Sequence, residues 1–363
     1  MSSPFRRALL TLHQWIGLAA AAFLIVIAVS GSALVFESEI DRALNPGLSY
    51  VSPGRTRQSF EFLLARVRAT HPGDQVVGLR VGETPDQAFE FSLRSRVSAM
   101  IDPYTGAVLG TRDREASVAR RLHLLHTRLA AGEFGEQVVG CVDVAMLALA
   151  VTGLALWWPR RIVTVGLKSS GKRAIFDLHN ALGFYSSIVL VAIAASGVLI
   201  AFERTTDPIV RTLNATPEPP PPQSTPNRDA TPYTLDEVFA VAAQALPGAF
   251  ASNVNVPASP TAAYRVLMKF PEDRTPAGRS RVYIDQFSGK VLLVENTRTA
   301  PLGTRILNLK RSLHTGDLFG APTRALYFLV SLGIAVQAIT GALIWWNARA
   351  RPPTPPPSRR STR

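Results

Sequence analysis

Residues Arg6 to Asp41 recur in the chain as Lys172 to Asp207. A shift of 166 positions lays His13 on His179, Gly17 on Gly183, Ser30-Gly31 on Ser196-Gly197, Phe36-Glu37 on Phe202-Glu203 and Asp41 on Asp207, with 13 identities in 36 positions. Each copy has a basic start, one histidine, a mostly apolar run that includes the Ser-Gly pair, and an acidic end. An α-helix needs about 20 apolar residues to cross the hydrocarbon layer, so each copy reads as a membrane helix with a histidine near one mouth. A second shift, of 188 positions, lays Leu125-His126-Thr127 on Leu313-His314-Thr315, Gly132 on Gly320, Thr152-Gly153 on Thr340-Gly341 and Trp157-Trp158 on Trp345-Trp346. The repeats divide the chain into two similar halves, each with a membrane part and a soluble part.

The predicted spans are about Ile16 to Phe36, Val138 to Trp158, Ala181 to Phe202 and Ala325 to Trp346. The net charge is +13 over 363 residues. Its cations cluster at the ends of these spans rather than on a groove-binding motif, which argues against nucleic acid as a partner. Arg6 and Arg7 precede the first span. Arg160, Arg161, Lys168, Lys172 and Arg173 lie between the second and third, and Arg349, Arg351, Arg359 and Arg360 follow the fourth. By the positive-inside rule all three segments are cytoplasmic, and the long connections, about 42–120 and 204–310, face outward. The first apolar run is too long for a signal peptide and has no small-residue cleavage site, so it reads as an anchor that stays. With one cysteine, Cys141, there is no intrachain disulfide, no iron–sulfur cluster and no Cys-x-x-Cys-His for covalent haem.

The first helix is expected to start at Ser3-Pro4 and to run unbroken to about Ala43, where Asn45-Pro46-Gly47 ends it. Apolar residues then recur at helical spacing from Ser59 to about Thr70. Alternating stretches at Gln75 to Val81, Ala88 to Leu93, Ala99 to Asp102 and Ala107 to Gly110 predict an antiparallel sheet. The second half repeats that order, with a helix over Thr234 to Leu246. Its Ile284-Asp285-Gln286-Phe287-Ser288-Gly289 matches Ile101-Asp102-Pro103-Tyr104-Thr105-Gly106, a turn pattern in both. Pro217 to Pro226 reads as an extended spacer, and the tail from Pro352 as disordered. The expected division is membrane helix 1–41, outer α+β domain 42–120, helix 121–160, cytoplasmic loop 161–173, helix 174–205, proline-rich linker 206–232, second outer domain 233–306, helix 307–348 and tail 349–363. The fold class is therefore α-helical membrane protein, four helices in two tandem repeats with an α+β domain between the helices of each.

His71 precedes a proline in a soluble turn and reads as surface. The other five histidines lie at or near membrane-helix ends: His13 and His179 at equivalent cytoplasmic-side positions, His126 and His314 at equivalent outer ones, and His123 one turn before His126. Parallel repeats let equivalent residues face one another across a pseudo-two-fold axis, and two facing imidazoles can hold one haem iron. On that reading His13 with His179 and His126 with His314 make two bis-histidine sites, with His123 an alternative ligand or a propionate or substrate contact. Periodicity alone leaves three uses open: haem ligation, interfacial histidines snorkelling to headgroups, and another metal role. The small pairs Ser30-Gly31, Ser196-Gly197, Thr152-Gly153 and Thr340-Gly341 allow close approach of a neighbouring helix or of a flat macrocycle, with helix packing the preferred reading. No dinucleotide fingerprint, P-loop or Ser-His-Asp arrangement is present, so no catalytic residue is assigned; if the chain carries electrons, they come from a quinol or a separate reductase.

The sequence resembles the PepSY-associated transmembrane family of bacterial inner-membrane proteins, which includes iron-regulated membrane proteins and FoxB-like ferric-siderophore reductases. The resemblance rests on Leu12-His13-Gln14-Trp15-Ile16-Gly17, Leu125-His126, Thr152-Gly153 through Trp157-Trp158-Pro159-Arg160, Leu178-His179-Asn180, and Leu313-His314-Thr315-Gly316 with Thr340-Gly341 and Trp345-Trp346. It implies two periplasmic PepSY-like domains, two haem b groups on His13, His179, His126 and His314, a ferric siderophore as substrate, and membrane lipid around the helices. It implies an enzyme that releases ferrous iron; a haem-free member binding a periplasmic peptide, envelope protein or protease is the alternative. His126 lies 12 residues before Val138, about 18 Å along a continuous helix, so either the region of Gly132 and Gly135 bends or the helix projects outward.

Overall fold

The structure is a computed structural model and describes residues 4–158, 161, 164–166, 170–215, 220, 222–273 and 275–349. Pro159, Arg160, Lys168, the start of the proline-rich stretch and the tail from Pro352 lie outside the described residues. The first half runs α1 (Pro4–Leu34), α2 (Glu37–Leu44), α3 (Pro46–Ser49), α4 (Phe60–Thr70), β1 (Val76–Arg80), β2 (Phe89–Leu93), β3 (Val97–Ile101), β4 (Val108–Asp113), α5 (Val118–Arg128) and α6 (Gly132–Trp157). The second runs α7 (Gly171–Ala201), α8 (Glu203–Leu213), α9 (Leu235–Ala245), β5 (Phe250–Asn255), β6 (Tyr264–Lys269), β7 (Ser280–Ile284), β8 (Val291–Glu295), α10 (Leu302–Thr315), a 3₁₀ turn and α11 (Ala321–Arg349). These residues form two compact units. A helical unit takes the chain up to Ser32, His126–Val198 and the chain from Phe328; a sheet unit takes Ala33–Leu125 and Leu199–Tyr327.

Four helices, α1, α6, α7 and α11, are long and apolar enough to cross a membrane. The first is shorter than the sequence suggests. It breaks at Val35 and Phe36, and α2 begins at Glu37 instead of continuing to Ala43. A continuous helix needs the Val35 carbonyl for the Glu39 amide; here the Arg324 guanidinium takes it, with Nε 3.1 Å away, and also pairs with Glu39 at 2.7 Å. Phe202 breaks α7 from α8 with nearly the same backbone angles as Phe36, φ −109° and ψ 31° against −112° and 28°.

The connection between α5 and α6 settles the path beyond His126. Leu129, Ala130 and Gly132 have φ of 49°, 55° and 61°, left-handed values that end α5 and turn the chain before α6 begins. The helix bends and does not project.

In the sheet unit, both outer segments share one eight-stranded antiparallel sheet in the order β4-β3-β2-β1-β5-β6-β7-β8. The join is β1 against β5, with Gly78 opposite Asn255, Leu79 opposite Val254 and Arg80 opposite Asn253. Alternating residues of this sheet pack with α4 and α9 into one core. Leu63, Val67, Leu79, Phe91, Val254, Val266 and Val282 are fully buried in it, and Phe60 stacks on Phe239 with ring centroids 4.1 Å apart. The two helices also cap each other. Asp236 Oδ1 and Oδ2 accept the Phe60 and Glu61 amides at 2.8 and 3.0 Å, and Glu61 accepts the Leu235 amide at 3.3 Å. In the two matched turns Asp102 and Asp285 each accept two amides ahead of them, and Gly106 and Gly289 take φ of 73° and 68°, which a side chain rarely adopts.

Candidate cofactor site in the helical unit

A cavity of about 400 Å³ opens among α1, α6, α7 and α11, and both His13 and His179 line it. That size lies within the roughly 300–1,000 Å³ of cofactor pockets. Its wall is mostly apolar and aromatic, with Trp157, Phe176, Phe184 and Trp345, while Arg6, Arg7, Gln14, Asn180 and Gln337 add polar groups. Trp157 stacks on Phe184 at 4.2 Å between centroids.

Each histidine is held in the same way by a different pair of helices. The His13 Nδ1 of α1 lies 2.8 Å from the Thr152 hydroxyl of α6; the His179 Nδ1 of α7 lies 3.0 Å from the Thr340 hydroxyl of α11. Those hydroxyls already donate their one proton to backbone carbonyls, Thr152 to Ala148 at 2.7 Å and Thr340 to Val336 at 2.8 Å. They therefore accept from the imidazoles, and the proton sits on Nδ1 in both rings. The Gln337 carbonyl, 3.1 Å from His179 Nδ1, can only accept and requires the same tautomer. Nε2 keeps its lone pair, and among the described residues it makes no hydrogen bond in either ring. The next residue in each case is a glycine. A Cβ on Gly153 would stand 3.3 Å from His13 Cε1, and a Cβ on Gly341 the same distance from His179 Cε1, so the Cε1 edge of each ring rests on a bare backbone.

His126 is treated likewise. Its Nδ1 donates to the Ile27 carbonyl at 2.8 Å, and its ring lies on Gly31, where a Cβ would come within 2.6 Å of Cε1. His126 belongs to the helical unit. His314, in the last turn of α10, and His123, in α5, fall in the sheet unit. The structure thus brings His13 and His179 to one cavity and places His126 and His314 in different units. His71 is the C-cap residue of α4 and is half-buried, with Nδ1 2.9 Å from the Thr70 hydroxyl. Among the described residues no group of three or more His, Cys, Asp or Glu side chains gathers as ligands for a bare metal ion.

Sequence reasoning treated the Thr-Gly pairs as packing residues. Their double use, threonine orienting the ring and glycine seating it, was signalled by their recurrence at the same shift as His126 and His314. The family profile described as the PepSY-associated TM region matches residues 10–348. The chain belongs to the PepSY-associated transmembrane family. A search of curated proteins returns no match. The match takes in all four long apolar helices and the eight-stranded sheet, so this family member is a multi-pass membrane protein with an antiparallel sheet unit.

Proposed function

We propose that this family member is a di-haem electron-transfer protein of the bacterial inner membrane that reduces ferric iron in periplasmic siderophores. The observation that carries the reading is the matched pair at the cavity: two imidazoles, each oriented through Nδ1–H and each offering an Nε2 lone pair. Metal-bound histidines are held in this way, with the second nitrogen donating to a carbonyl or similar acceptor. His13 and His179 would hold the inner haem, with Gly153 and Gly341 leaving room beside the rings and Arg6 and Arg7 supplying positive charge for its carboxylates. The second haem is assigned from the sequence repeat alone, to His126 and His314, with His123 an alternative ligand or a propionate or substrate contact. Bound haem supplies a one-electron carrier whose potential is set by its axial ligands and surroundings.

The chain is read as one unit repeated in tandem, with both termini cytoplasmic, the sheet unit periplasmic and lipid around the helices. Arg6, Arg7, Arg161, Lys172, Arg173 and Arg349 support that orientation. Electrons enter from a quinol or a separate reductase and leave to the ferric siderophore. Ferrous iron binds hard oxygen ligands less tightly, so reduction frees it.

The test is an absorption spectrum of the detergent-purified protein, oxidised and then reduced with dithionite. Sharp low-spin b-type bands with about two haems per chain are expected. His13→Ala and His179→Ala should remove the same haem, and His314→Ala the other. A colourless protein from haem-replete cells overturns the proposal and turns the search to peptides or envelope proteins as ligands of the sheet unit.

A further inference from the structure

The apolar runs of the four membrane helices contain a single carboxylic acid, Asp143, near the middle of α6. It is 7% exposed, and among the described residues no hydrogen bond or ion pair reaches it. A buried acid kept for structure alone is hydrogen-bonded to its neighbours. An ionisable group left alone in a membrane segment points to a proton or ion function.

The neighbourhood is shaped to admit it. The carboxyl lies on Gly197 of α7, where a Cβ would stand 2.9 Å from Oδ2 and 3.0 Å from Cγ. Gly197 is the counterpart of Gly31, the residue on which the His126 ring lies. Equivalent glycines therefore seat an imidazole in one copy and a carboxyl in the other. The position matching Asp143 in the second half is Ser331. No charged side chain occurs on α7 between Ala181 and Ala201, where Tyr185 is the one titratable group; Cys141 of α6 and Tyr327 of α11 are the others in the apolar runs.

We propose that Asp143 is a redox-linked proton-exchange site of the helical unit. The inference rests on the haem reading above. A ferric porphyrin core carries net positive charge and a ferrous one none, so a carboxylate in the same low-dielectric helical unit has a counter-charge in the first state and lacks it in the second. Asp143 then takes one proton from water when an electron enters and returns it when the electron leaves: carboxylate plus proton gives carboxylic acid, and electron and proton together leave the net charge unchanged.

Two measurements on the full chain test this. In infrared difference spectra between reduced and oxidised protein, a carboxylic C=O stretch should appear on reduction in the wild type and be absent in Asp143→Asn. The haem midpoint potential should fall as pH rises, by up to about 59 mV per pH unit for one proton per electron. Asp143→Asn should flatten that slope with haem content unchanged, and Asp143→Glu should restore both slope and band. A band that survives in Asp143→Asn overturns the assignment, as does a wild-type potential indifferent to pH in protein that carries haem. A colourless protein overturns it together with the haem reading, so the two failures are told apart by colour.

Discussion

A threonine hydroxyl has one proton, and at Thr152 and Thr340 it goes to a carbonyl four residues back along the helix. That small fact fixes the tautomer of two histidines, because an oxygen whose proton is used can only accept. Glu90 shows a second residue whose surroundings decide its charge. It lies in β2 at 8% exposure, accepts from the Ser98 hydroxyl at 2.5 Å and faces Arg80 at 3.6 Å. Burial alone would raise its pKa; Arg80 and the Ser98 hydrogen bond outweigh burial and hold it below the ordinary carboxylate value. A depressed folded pKa means stability that is present above the unfolded value of about 4.3 and is lost as pH falls through the folded one. Arg80→Leu leaves burial opposed by less, so the folded pKa rises and the acid-side loss should shrink or reverse while stability at neutral pH falls. Amide exchange in β2 and β3, followed from neutral pH into acid in both proteins, checks the sign.

At the scale of elements, the turn between α5 and α6 is the feature that places His126, and it is built from residues that resist it. Leu129 and Ala130 both carry a side chain at positive φ, where each L-residue costs about 1–2 kcal/mol. Ala130→Gly should therefore raise stability by roughly 0.5–1 kcal/mol after the greater chain entropy of glycine is deducted. Ala131→Gly, at φ −113°, should not. Denaturation of the two variants in detergent separates them. This turn was only half legible in the sequence. The distance from His126 to Val138 demanded a bend or a projection, and Gly132 and Gly135 marked the region, but nothing local says that Leu129 and Ala130 adopt glycine-like angles. The break at Phe36 was not legible, and the Arg324 guanidinium that takes up the freed Val35 carbonyl comes from 289 positions away in the chain. The strands of the first half and both outer helices followed from period and turn chemistry, and lie within a few residues of expectation. The histidine pair at the cavity was legible from the repeat; its threonine partners required the packed helices, since a hydrogen bond across 139 residues leaves no local pattern.

At the scale of the whole molecule, the sheet is where the two halves become one folding unit. Val254 is fully buried and stands opposite Leu79, also fully buried, across the β1–β5 join. A charge at Val254 would be desolvated without a partner, which is strongly destabilising. Val254→Asp should therefore remove amide protection from β1 to β4 as well as from β5 to β8, in a single transition. Independent domains would lose protection in the second set only. The geometry of the join has a further consequence. A strand paired antiparallel with its own counterpart is the arrangement that a two-fold axis produces between identical chains, each offering the same surface to the other. Covalent continuity between the halves then converts what would be an association of two half-length chains into an intramolecular event, at an effective concentration that can reach the millimolar range. Cut between them, the molecule would become a pair of partners whose assembly follows mass action, and dilution would do what denaturant does to the intact chain.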